Sequence, residues 1–314
     1  MSLVLITGAG GFIGRQLAKW LTSQGYQVIG QGRGKWSKSE AADWGMIAWV
    51  AGDLSPNSLE EIQQKWGKPE TVFHLAGGSS VGAAFAGPHE DFFKTVVSTS
   101  HILEWMRAQA SNTKLVAVSS AAVYGSGHDG KISEDARTSP YSPYGAHKLM
   151  METLCQSYAT NFGLKVVIPR LFSVFGIELR KQLVWDLCSK LAAGGTIELG
   201  GTGDELRDWT HVRDVVRGLE LVAKIASSRA PVLNLATGAA TSVRDIAKLV
   251  AAHWGGAEVA GNVCFSGQSR IGDPFSLVAD TKRMLSHGIK CHIPVDQELA
   301  EYVAWFRGEF KHHQ

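Results

Sequence analysis

The segment that decides the fold of this chain reads Leu3-Val4-Leu5-Ile6-Thr7-Gly8-Ala9-Gly10-Gly11-Phe12-Ile13-Gly14. A short apolar run of strand length meets glycines at positions 8, 11 and 14, and a helical pattern continues to Gln24, with Gly25 as its stop. A strand, tight turn and helix of this kind can hold a pyrophosphate, because glycine lets phosphate approach the helix N-terminal amides. We therefore expect a dinucleotide to be bound by Gly8, Gly11, Phe12, Ile13 and Gly14.

Strands and helices alternate along the first half of the chain, as a parallel α/β sheet requires. The predicted strands are 3–7, 26–30, 46–50, 71–75, 114–119 and 165–169. The predicted helices are 12–24, 57–66, 89–110 and 142–162, followed by 181–193, 212–226 and 242–253. We expect residues 1–170 to form the nucleotide-binding domain, to which a late strand near 232–235 returns. Residues 171–314 are predicted to form mainly a smaller, interleaved substrate-binding part.

A second informative segment is Tyr144-Gly145-Ala146-His147-Lys148. Ser142 as N-cap and Pro143 at the first helical position predict a helix start, so Tyr144 and Lys148 project side by side one turn apart. An adjacent ammonium favours the phenolate and lowers the phenol pKa from its usual value of about 10. We expect Tyr144 to exchange a proton with an alcohol or ketone, with Lys148 as its electrostatic partner. An exposed helix face can show the same spacing, and the glycine turn favours the catalytic interpretation.

Composition limits the function classes. The 314 residues carry 31 Lys and Arg against 29 Asp and Glu, a net charge of +2 that gives no basis for a nucleic-acid partner. No apolar stretch approaches the roughly 18 residues that span a bilayer. Four cysteines lie far apart, so neither a metal site nor a disulfide framework is predicted. We expect a cytoplasmic protein that binds no metal, nucleic acid or membrane.

Taken together, these motifs resemble the extended short-chain dehydrogenase/reductase superfamily, in its nucleotide-sugar epimerase/dehydratase branch. The resemblance runs nearly end to end and rests on Thr7-Gly8-x-x-Gly11-x-x-Gly14, Gly52-Asp53-Leu54, His74-Leu75-Ala76-Gly77, Val118 to Gly125, Tyr144-x-x-x-Lys148, Pro169-Arg170-Leu171-Phe172, Arg207-Asp208-Trp209 and Arg270-x-Gly272-Asp273. It implies a Rossmann-type doubly wound parallel sheet with a smaller C-terminal substrate-binding part. It also implies a homodimer formed through helices 89–110 and 142–162.

The resemblance assigns roles to individual residues in catalysis. Ser120 would hydrogen-bond the sugar hydroxyl or keto oxygen with which Tyr144 exchanges a proton, and Lys148 would also contact the nicotinamide ribose. His74, at the end of a strand, and His147, inside the tyrosine–lysine motif, are interpreted as structural histidines rather than catalysts.

The resemblance also implies a cofactor path. Asp53, followed by Leu54, would accept a hydrogen bond from the adenine amino group, although a loop or helix-cap aspartate would fit the same pattern. Ala76 and Gly77 would line the path because they are small. The second strand ends without an acidic residue, in the run Val28-Ile29-Gly30-Gln31-Gly32-Arg33-Gly34-Lys35. Arg33 with Lys35 could meet a 2′-phosphate, which favours NADP(H) over NAD(H), unless the segment is a solvated basic loop.

For the substrate, the resemblance implies a nucleotide-diphosphate sugar. The arginines that would clamp its diphosphate are Arg207 and Arg270, with Arg180 and Lys181 as further candidates, and the alternative is that they are surface residues. Dehydratases of the family carry an acidic pair where this chain has Ala121 and Ala122, so a 4,6-dehydratase is not expected. The family's usual asparagines are replaced by Thr95 and Ser173, so no named substrate can be transferred.

The leading hypothesis is a nucleotide-sugar oxidoreductase in which hydride moves between sugar C4 and nicotinamide while Tyr144 exchanges the proton. Epimerisation through a transient keto sugar and net reduction of a 4-keto sugar both remain open, in a pathway such as surface-polysaccharide precursor synthesis. One alternative is a reductase of a small non-nucleotide ketone or aldehyde, which would need no diphosphate clamp. Another is a non-catalytic cofactor-sensing protein of the same fold. The presence of Ser120, Tyr144 and Lys148 disfavours it, because such proteins commonly lack the tyrosine–lysine pair.

Overall fold

A computed structural model describes residues 2–194, 197–268 and 274–311 of the protein. The strands are β1 (Leu3–Thr7), β2 (Gln27–Gly32), β3 (Met46–Ala51), β4 (Thr71–His74), β5 (Lys114–Ala117), β6 (Ser119–Ser120), β7 (Lys165–Leu171), β8 (Ser173–Phe175), β9 (Ile197–Leu199), β10 (Leu206–Arg207), β11 (Trp209–His211), β12 (Val232–Leu235), β13 (Thr241–Ser242), β14 (Val263–Phe265) and β15 (Ser276–Leu277). The helices are α1 (Phe12–Ser23), α2 (Lys38–Asp43), α3 (Pro56–Trp66), α4 (Val81–Ala86), α5 (Pro88–Phe92), α6 (Ser98–Gln109), α7 (Pro143–Phe162), α8 (Gln182–Ala193), α9 (Val212–Val222), α10 (Val243–Gly261), α11 (Lys282–Ser286) and α12 (Val295–Lys311).

One parallel sheet dominates the molecule. Its strand order is β12-β7-β5-β4-β1-β2-β3, and β6 also pairs with β7. The chain therefore starts in the middle of the sheet and builds outwards in both directions, which confirms the predicted Rossmann-type α/β fold. The late strand returns as predicted, because β12 pairs with β7 in the register Val232↔Ile168.

Helices cover both faces of the sheet. Val4 and Ile6 of β1 point into one apolar cluster and Leu5 points into the other, as the period of two in a strand requires. Helices α1 and α9 pack on the first face, and α3, α6 and α7 pack on the second. Both faces are buried, so the central strands are almost wholly apolar.

The C-terminal elements form a separate apolar cluster. Helices α8, α10 and α12 meet around Leu187, Ile246, Val250 and Phe306. The sequence analysis predicted α8 and most of α10 but not α12, although its apolar residues recur at helical spacing. Helix α10 extends beyond the predicted 242–253, with a break at Gly255 and Gly256.

The predicted helix 89–110 consists of three consecutive segments. Helix α5 leads into a π-helical turn at Phe93–Val97, which continues directly as α6. Such turns interrupt α-helices rarely and often lie at functional sites. This turn carries Thr95, which stands where the family that the sequence resembles usually has asparagine.

A buried ion pair joins α7 to the sheet. The Arg170 guanidinium on β7 donates from Nε and Nη2 to the two carboxylate oxygens of Glu152, at 2.9 and 2.7 Å. The Ser119 hydroxyl donates to the same carboxylate at 2.5 Å. Both charged side chains are at most 5% exposed. A carboxylate on α7 thus holds the strand pair β6 and β7.

We expect Glu152→Ala to lower the free energy of unfolding by about 3–5 kcal/mol, because it leaves the Arg170 guanidinium buried without its partner. Urea unfolding followed by tryptophan fluorescence measures the change. Glu61→Ala is the matched control, since Glu61 makes an exposed helical pair with Lys65 and its loss should have little effect. Equal losses in the two variants would contradict the prediction.

Candidate active site

A cavity of about 940 Å³ opens at the carboxyl ends of β1, β2, β4 and β5. A smaller cavity of about 380 Å³ adjoins it. Their walls share Ser120 and Tyr144, so these two side chains lie where the cavities meet. Ligands of open α/β sheets generally bind at this edge, outside the carboxyl ends of the strands.

The glycine turn lines the middle of the larger cavity, because β1 lies between β4 and β2 in the sheet. Gly8 has φ of +69°, and a Cβ added at Gly14 would stand 2.5 Å from the Gly8 carbonyl oxygen. Helix α1 begins at Gly11, which offers no side chain to cap the helix amides. Phe12 and Ile13 also line the cavity. The turn therefore leaves uncapped helix amides at the cavity, an arrangement that fits a pyrophosphate.

The ends of β2 and β3 form one end of the larger cavity. Asp53 and Leu54 line the cavity, as the sequence analysis expected for an adenine site. Trp49 on β3 stacks on Trp36 with ring centroids 4.5 Å apart. A Cβ added at Gly32 would stand 2.8 Å from the Trp49 ring, so glycine there makes room for this aromatic wall.

The other end of the cavity is lined by the loop that follows β4. Ala76 and Gly77 lie there, and Gly77 has φ of +151°. A Cβ at Gly77 would stand 3.2 Å from the Lys148 ammonium nitrogen. The predicted cofactor residues of this loop and the predicted catalytic lysine thus meet at one place.

Close backbone packing brings Ser120 and Tyr144 together. Ser142 caps α7, its hydroxyl accepting from the Gly145 amide at 3.2 Å, so Tyr144 lies in the first helical turn. A Cβ at Gly145 would stand 2.5 Å from the Ala122 carbonyl oxygen. Glycine at this position lets α7 approach the turn that follows Ser120, whose hydroxyl accepts from the Ala122 amide at 3.2 Å.

The electrostatics of Tyr144 differ from the expectation. Burial raises the pKa of Tyr144, the negative charge of Asp91 adds to the rise, and a hydrogen bond with Ser120 opposes it. The Lys148 ammonium donates to the Val118 carbonyl at 2.9 Å. Burial lowers the pKa of Lys148 to about 8, although the carboxylates of Asp91 and Glu152 oppose this fall. The pKa of Tyr144 is therefore raised rather than lowered as expected, because burial outweighs the hydrogen bond with Ser120.

The two histidines have different surroundings. His74 is buried between the hydroxyls of Thr7 and Thr99, at 2.7 and 3.0 Å, and burial lowers its pKa to about 3. This agrees with its interpretation as a structural histidine. His147 has a specific partner that the sequence did not indicate, since its Nδ1 lies 2.6 Å from Oδ2 of the buried Asp91.

The predicted phosphate-binding side chains separate in the structure. Arg207 lines the smaller cavity. Lys181 lines the larger one and donates to the Ser79 carbonyl at 3.0 Å. Arg180 is a correction to the sequence analysis: it lines neither cavity, pairs with Glu309 and covers the ring of Trp305. Arg270 lies outside the described residues.

Several residues of the site were not predicted. Trp36, Ser79, Glu90, Lys94 and His101 line the larger cavity, and Ser173 lines the smaller one. Glu90, Lys94 and His101 reach the site through the packing of α5, the π-helical turn and α6 beside the sheet, whereas Trp36 and Ser79 lie in the loops that follow β2 and β4. Thr95 was noted only as a departure, yet its Oγ1 accepts from the Gly78 amide at 2.8 Å.

Within the described ranges, no three or more His, Cys, Asp or Glu side chains lie together in a group that could hold a metal ion. The helices of residues 2–194, 197–268 and 274–311 are all too short or too polar to cross a membrane.

Comparison with known proteins gives consistent matches over most of the chain. The sequence profile of the NAD-dependent epimerase/dehydratase family matches residues 4–236. The chain is 32% identical over 302 residues to the UDP-glucose 4-epimerase of Corynebacterium glutamicum, covering 89% of this chain and 88% of that protein.

Solved structures have the same fold. MoeE5 in complex with UDP-glucuronic acid and NAD has 34% identity and a TM-score of 0.83, covering 98% of this chain and 99% of that one. The dTDP-glucose 4,6-dehydratase DesIV of Streptomyces venezuelae has 24% identity and a TM-score of 0.87, covering 98% of each chain. The second similarity is one of fold alone.

Gly14→Ala is expected to weaken the binding of NAD at least about tenfold, roughly 1.4 kcal/mol, because its methyl group cannot fit beside the Gly8 carbonyl without moving the turn. Isothermal titration with NAD, on protein first freed of any bound dinucleotide, measures the affinity. Gly308→Ala is the control, because a Cβ on that glycine of α12 meets nothing within 4 Å. Unchanged affinity in a folded Gly14→Ala variant would contradict the assignment of the turn.

Proposed function

The chain belongs to the NAD-dependent epimerase/dehydratase family, and from this premise we propose that it inverts C4 of a UDP-hexose through a transient ketone. The observation that carries the proposal is the meeting of the two cavities at Ser120 and Tyr144. A dinucleotide in the larger cavity and a sugar in the smaller one would both reach these side chains. The relatives supply the substrate class, since they include a UDP-glucose 4-epimerase and a protein solved with a UDP-sugar.

Tyr144 is the proposed base and acid. In the oxidative half-reaction its phenolate takes the proton of the C4 hydroxyl, while the Ser120 hydroxyl holds the same oxygen. In the reductive half-reaction Tyr144 returns the proton to that oxygen. The bound nicotinamide dinucleotide supplies hydride chemistry at C4. Lys148 has its ammonium at the Gly77 edge of the larger cavity, where it would orient the nicotinamide ribose.

Inversion requires the ketone to present its opposite face before hydride returns, so the hexose must turn in its cavity. The smaller cavity suits this step because many of its walls carry short side chains. These residues are Ser79, Ser80, Gly82, Ala121 and Ala122. A net reductase needs no such turn, which favours epimerisation over reduction of a 4-keto sugar.

We also propose that the chain has no 4,6-dehydratase activity. Elimination of water needs side chains that can take and give protons beside the sugar. The positions that hold such a pair in dehydratases are Ala121 and Ala122, whose methyl groups have no proton to exchange. Among the described residues that line the smaller cavity, none is a carboxylate. The fold similarity to DesIV does not bear on this chemistry.

The proposed cofactor is NAD. The sequence favoured NADP because of Arg33 and Lys35, and the comparisons do not support that preference, since both MoeE5 structures contain NAD. Arg33 also pairs with Glu90 at 3.3 Å at the wall of the larger cavity. A carboxylate therefore already faces the guanidinium that would have met a 2′-phosphate.

The proposed protein is a cytoplasmic homodimer that serves polysaccharide precursor synthesis, with residues 171–314 binding much of the substrate. Arg207 and Lys181 are the described cations at the cavities that would hold its diphosphate. Apolar side chains support pairing of α7 and the segment around α6 with a second copy, because Phe93, Met150 and Phe162 are about half exposed.

Tyr144→Phe is expected to lower kcat for interconversion of UDP-glucose and UDP-galactose by about 10²–10⁴-fold, the usual contribution of a general acid–base group. NAD binding should be unchanged. Tyr158→Phe is the matched control, because that hydroxyl lies further along the same helix and only meets the exposed Glu104 at 3.3 Å. Equal turnover by the Tyr144→Phe variant and the unmodified protein would show that the proposed proton exchange is wrong.

The purified protein is expected to release nearly equimolar NAD on denaturation, because an epimerase returns its hydride and needs no exchange of cofactor. Mass spectrometry of the released dinucleotide, with its stoichiometry, measures this. Equimolar NADP would contradict the choice of cofactor. A protein that retains neither dinucleotide but consumes NADPH with a 4-keto sugar would favour the reductase.

A further inference from the structure

A buried carboxylate lies beside the proposed catalytic tyrosine and has no part in the mechanism above. Asp91 on α5 is 5% exposed, and its Oδ2 is 2.6 Å from Nδ1 of His147. His147 stands on α7 between Tyr144 and Lys148. The other oxygen of Asp91 faces Gly78, where an added Cβ would stand 1.8 Å from Oδ1 and 3.1 Å from Cδ2 of Tyr144. Asp91 therefore contacts the catalytic helix and the cavity wall at one place.

The surrounding geometry holds this carboxylate in place. Thr95 is one turn beyond Asp91, and its hydroxyl accepts from the Gly78 amide at 2.8 Å. A Cβ at Gly77 would stand 3.2 Å from both Thr95 Oγ1 and Lys148 Nζ. The loop after β4 is thus packed between α5 with its π-helical turn on one side and α7 on the other. The ring of His147 is fixed further by an edge contact with Phe92, at 5.5 Å between centroids.

We propose that Asp91, held by His147, is a positioning residue whose fixed negative charge controls proton exchange at Tyr144. The inference rests on the proposed role of Tyr144 as base and acid. A carboxylate enclosed in protein is poorly screened, so its charge acts strongly on neighbouring ionisable groups. The negative charge of Asp91 acts in the expected direction on both neighbours. Burial raises the pKa of Tyr144, and Asp91 raises it further. Burial lowers the pKa of Lys148, and Asp91 opposes this fall.

The other ionisable groups near α7 have partners or positions of their own. Arg170 on β7 pairs with Glu152, Arg107 with Glu104, and Lys94 with Glu90. Six further ionisable groups lie on α5, α6, α7, β4 and β7. Three of them have a neighbour of their own: His89 contacts the Phe93 ring, His101 lies at the Leu54 carbonyl, and Tyr158 donates to Glu104. The others are the buried Cys155, the buried His74, which faces Lys148, and the exposed Lys165. Asp91 is the group among them whose charge acts on both Tyr144 and Lys148.

The sign of the effect is testable with Asp91→Asn, which keeps the size of the side chain and one acceptor oxygen but removes its charge. A negative neighbour disfavours the phenolate, so its removal lowers the pKa of Tyr144. Tyr144 acts first as a base, and the rising limb of the kcat–pH profile for UDP-glucose should therefore move about one unit to lower pH. Glu61→Gln, which removes an exposed carboxylate on α3, should leave the profile unchanged.

A second readout does not need turnover. Tyrosinate absorbance of the NAD-loaded protein is titrated with pH, and the curve of the matching Tyr144→Phe variant is subtracted. The difference reports Tyr144 alone and should move to lower pH in Asp91→Asn by the same amount. An unchanged difference curve in the folded Asp91→Asn protein overturns the inference. Failure of the proposed function is distinct, since it is decided by turnover of Tyr144→Phe.

His147 provides a paired test that leaves Asp91 in place. His147→Asn keeps a side-chain donor near the carboxylate and should titrate like the unmodified protein. His147→Leu removes the donor, and a buried carboxylate without a donor takes up a proton or turns away. We expect the Leu variant to move the Tyr144 difference curve to lower pH, as Asp91→Asn does. Identical curves for the Asn and Leu variants would show that His147 does not hold Asp91.

Discussion

The site depends on one buried ion pair. Glu152, two turns beyond Tyr144 on α7, binds the Arg170 guanidinium and the Ser119 hydroxyl with the same carboxylate. Ser119 directly precedes Ser120, so a single side chain fixes the strand that carries the serine and the helix that carries the tyrosine. Burying two charges costs much of what their attraction returns, and such pairs are better attested as devices that fix register than as sources of net stability. Here the register in question is that of Ser120 and Tyr144, the two side chains proposed to act on the substrate.

Close backbone contacts at two glycines also fix the helices against the ends of the strands. At Gly145 a side chain would collide with the Ala122 carbonyl, and at Gly14 one would collide with Gly8. Glycine is required at both positions by distance rather than by flexibility, because each lets a helix approach the end of a strand. The same packing explains why Ala121 and Ala122 lie in the wall of the sugar-sized cavity: the turn that carries them is pressed against α7.

The parts of the molecule that could be predicted are those with local signals. The glycine turn, the Ser142 cap and the alternating strands are each decided by residues a few positions apart. The contact between Asp91 and His147 spans 56 positions, and no local pattern encodes it. Arg180 and Lys181 are adjacent, and which one reaches the cavity depends on the backbone around Gln182, whose φ of +68° begins α8 in an unusual conformation. The sequence analysis named both residues as candidates, and the local pattern does not distinguish them.

The electrostatics of Tyr144 link these constraints to chemistry. Enclosure by α7 and its neighbours raises the pKa of Tyr144 and so favours the protonated phenol. The Lys148 ammonium donates to the Val118 carbonyl, and burial lowers the pKa of Lys148 to about 8. A base near neutral pH therefore needs a further positive charge in the larger cavity, since that would favour the phenolate. The fold thus makes the reactivity of Tyr144 conditional on what occupies the neighbouring cavity, and the chain's own residues hold it in the protonated form.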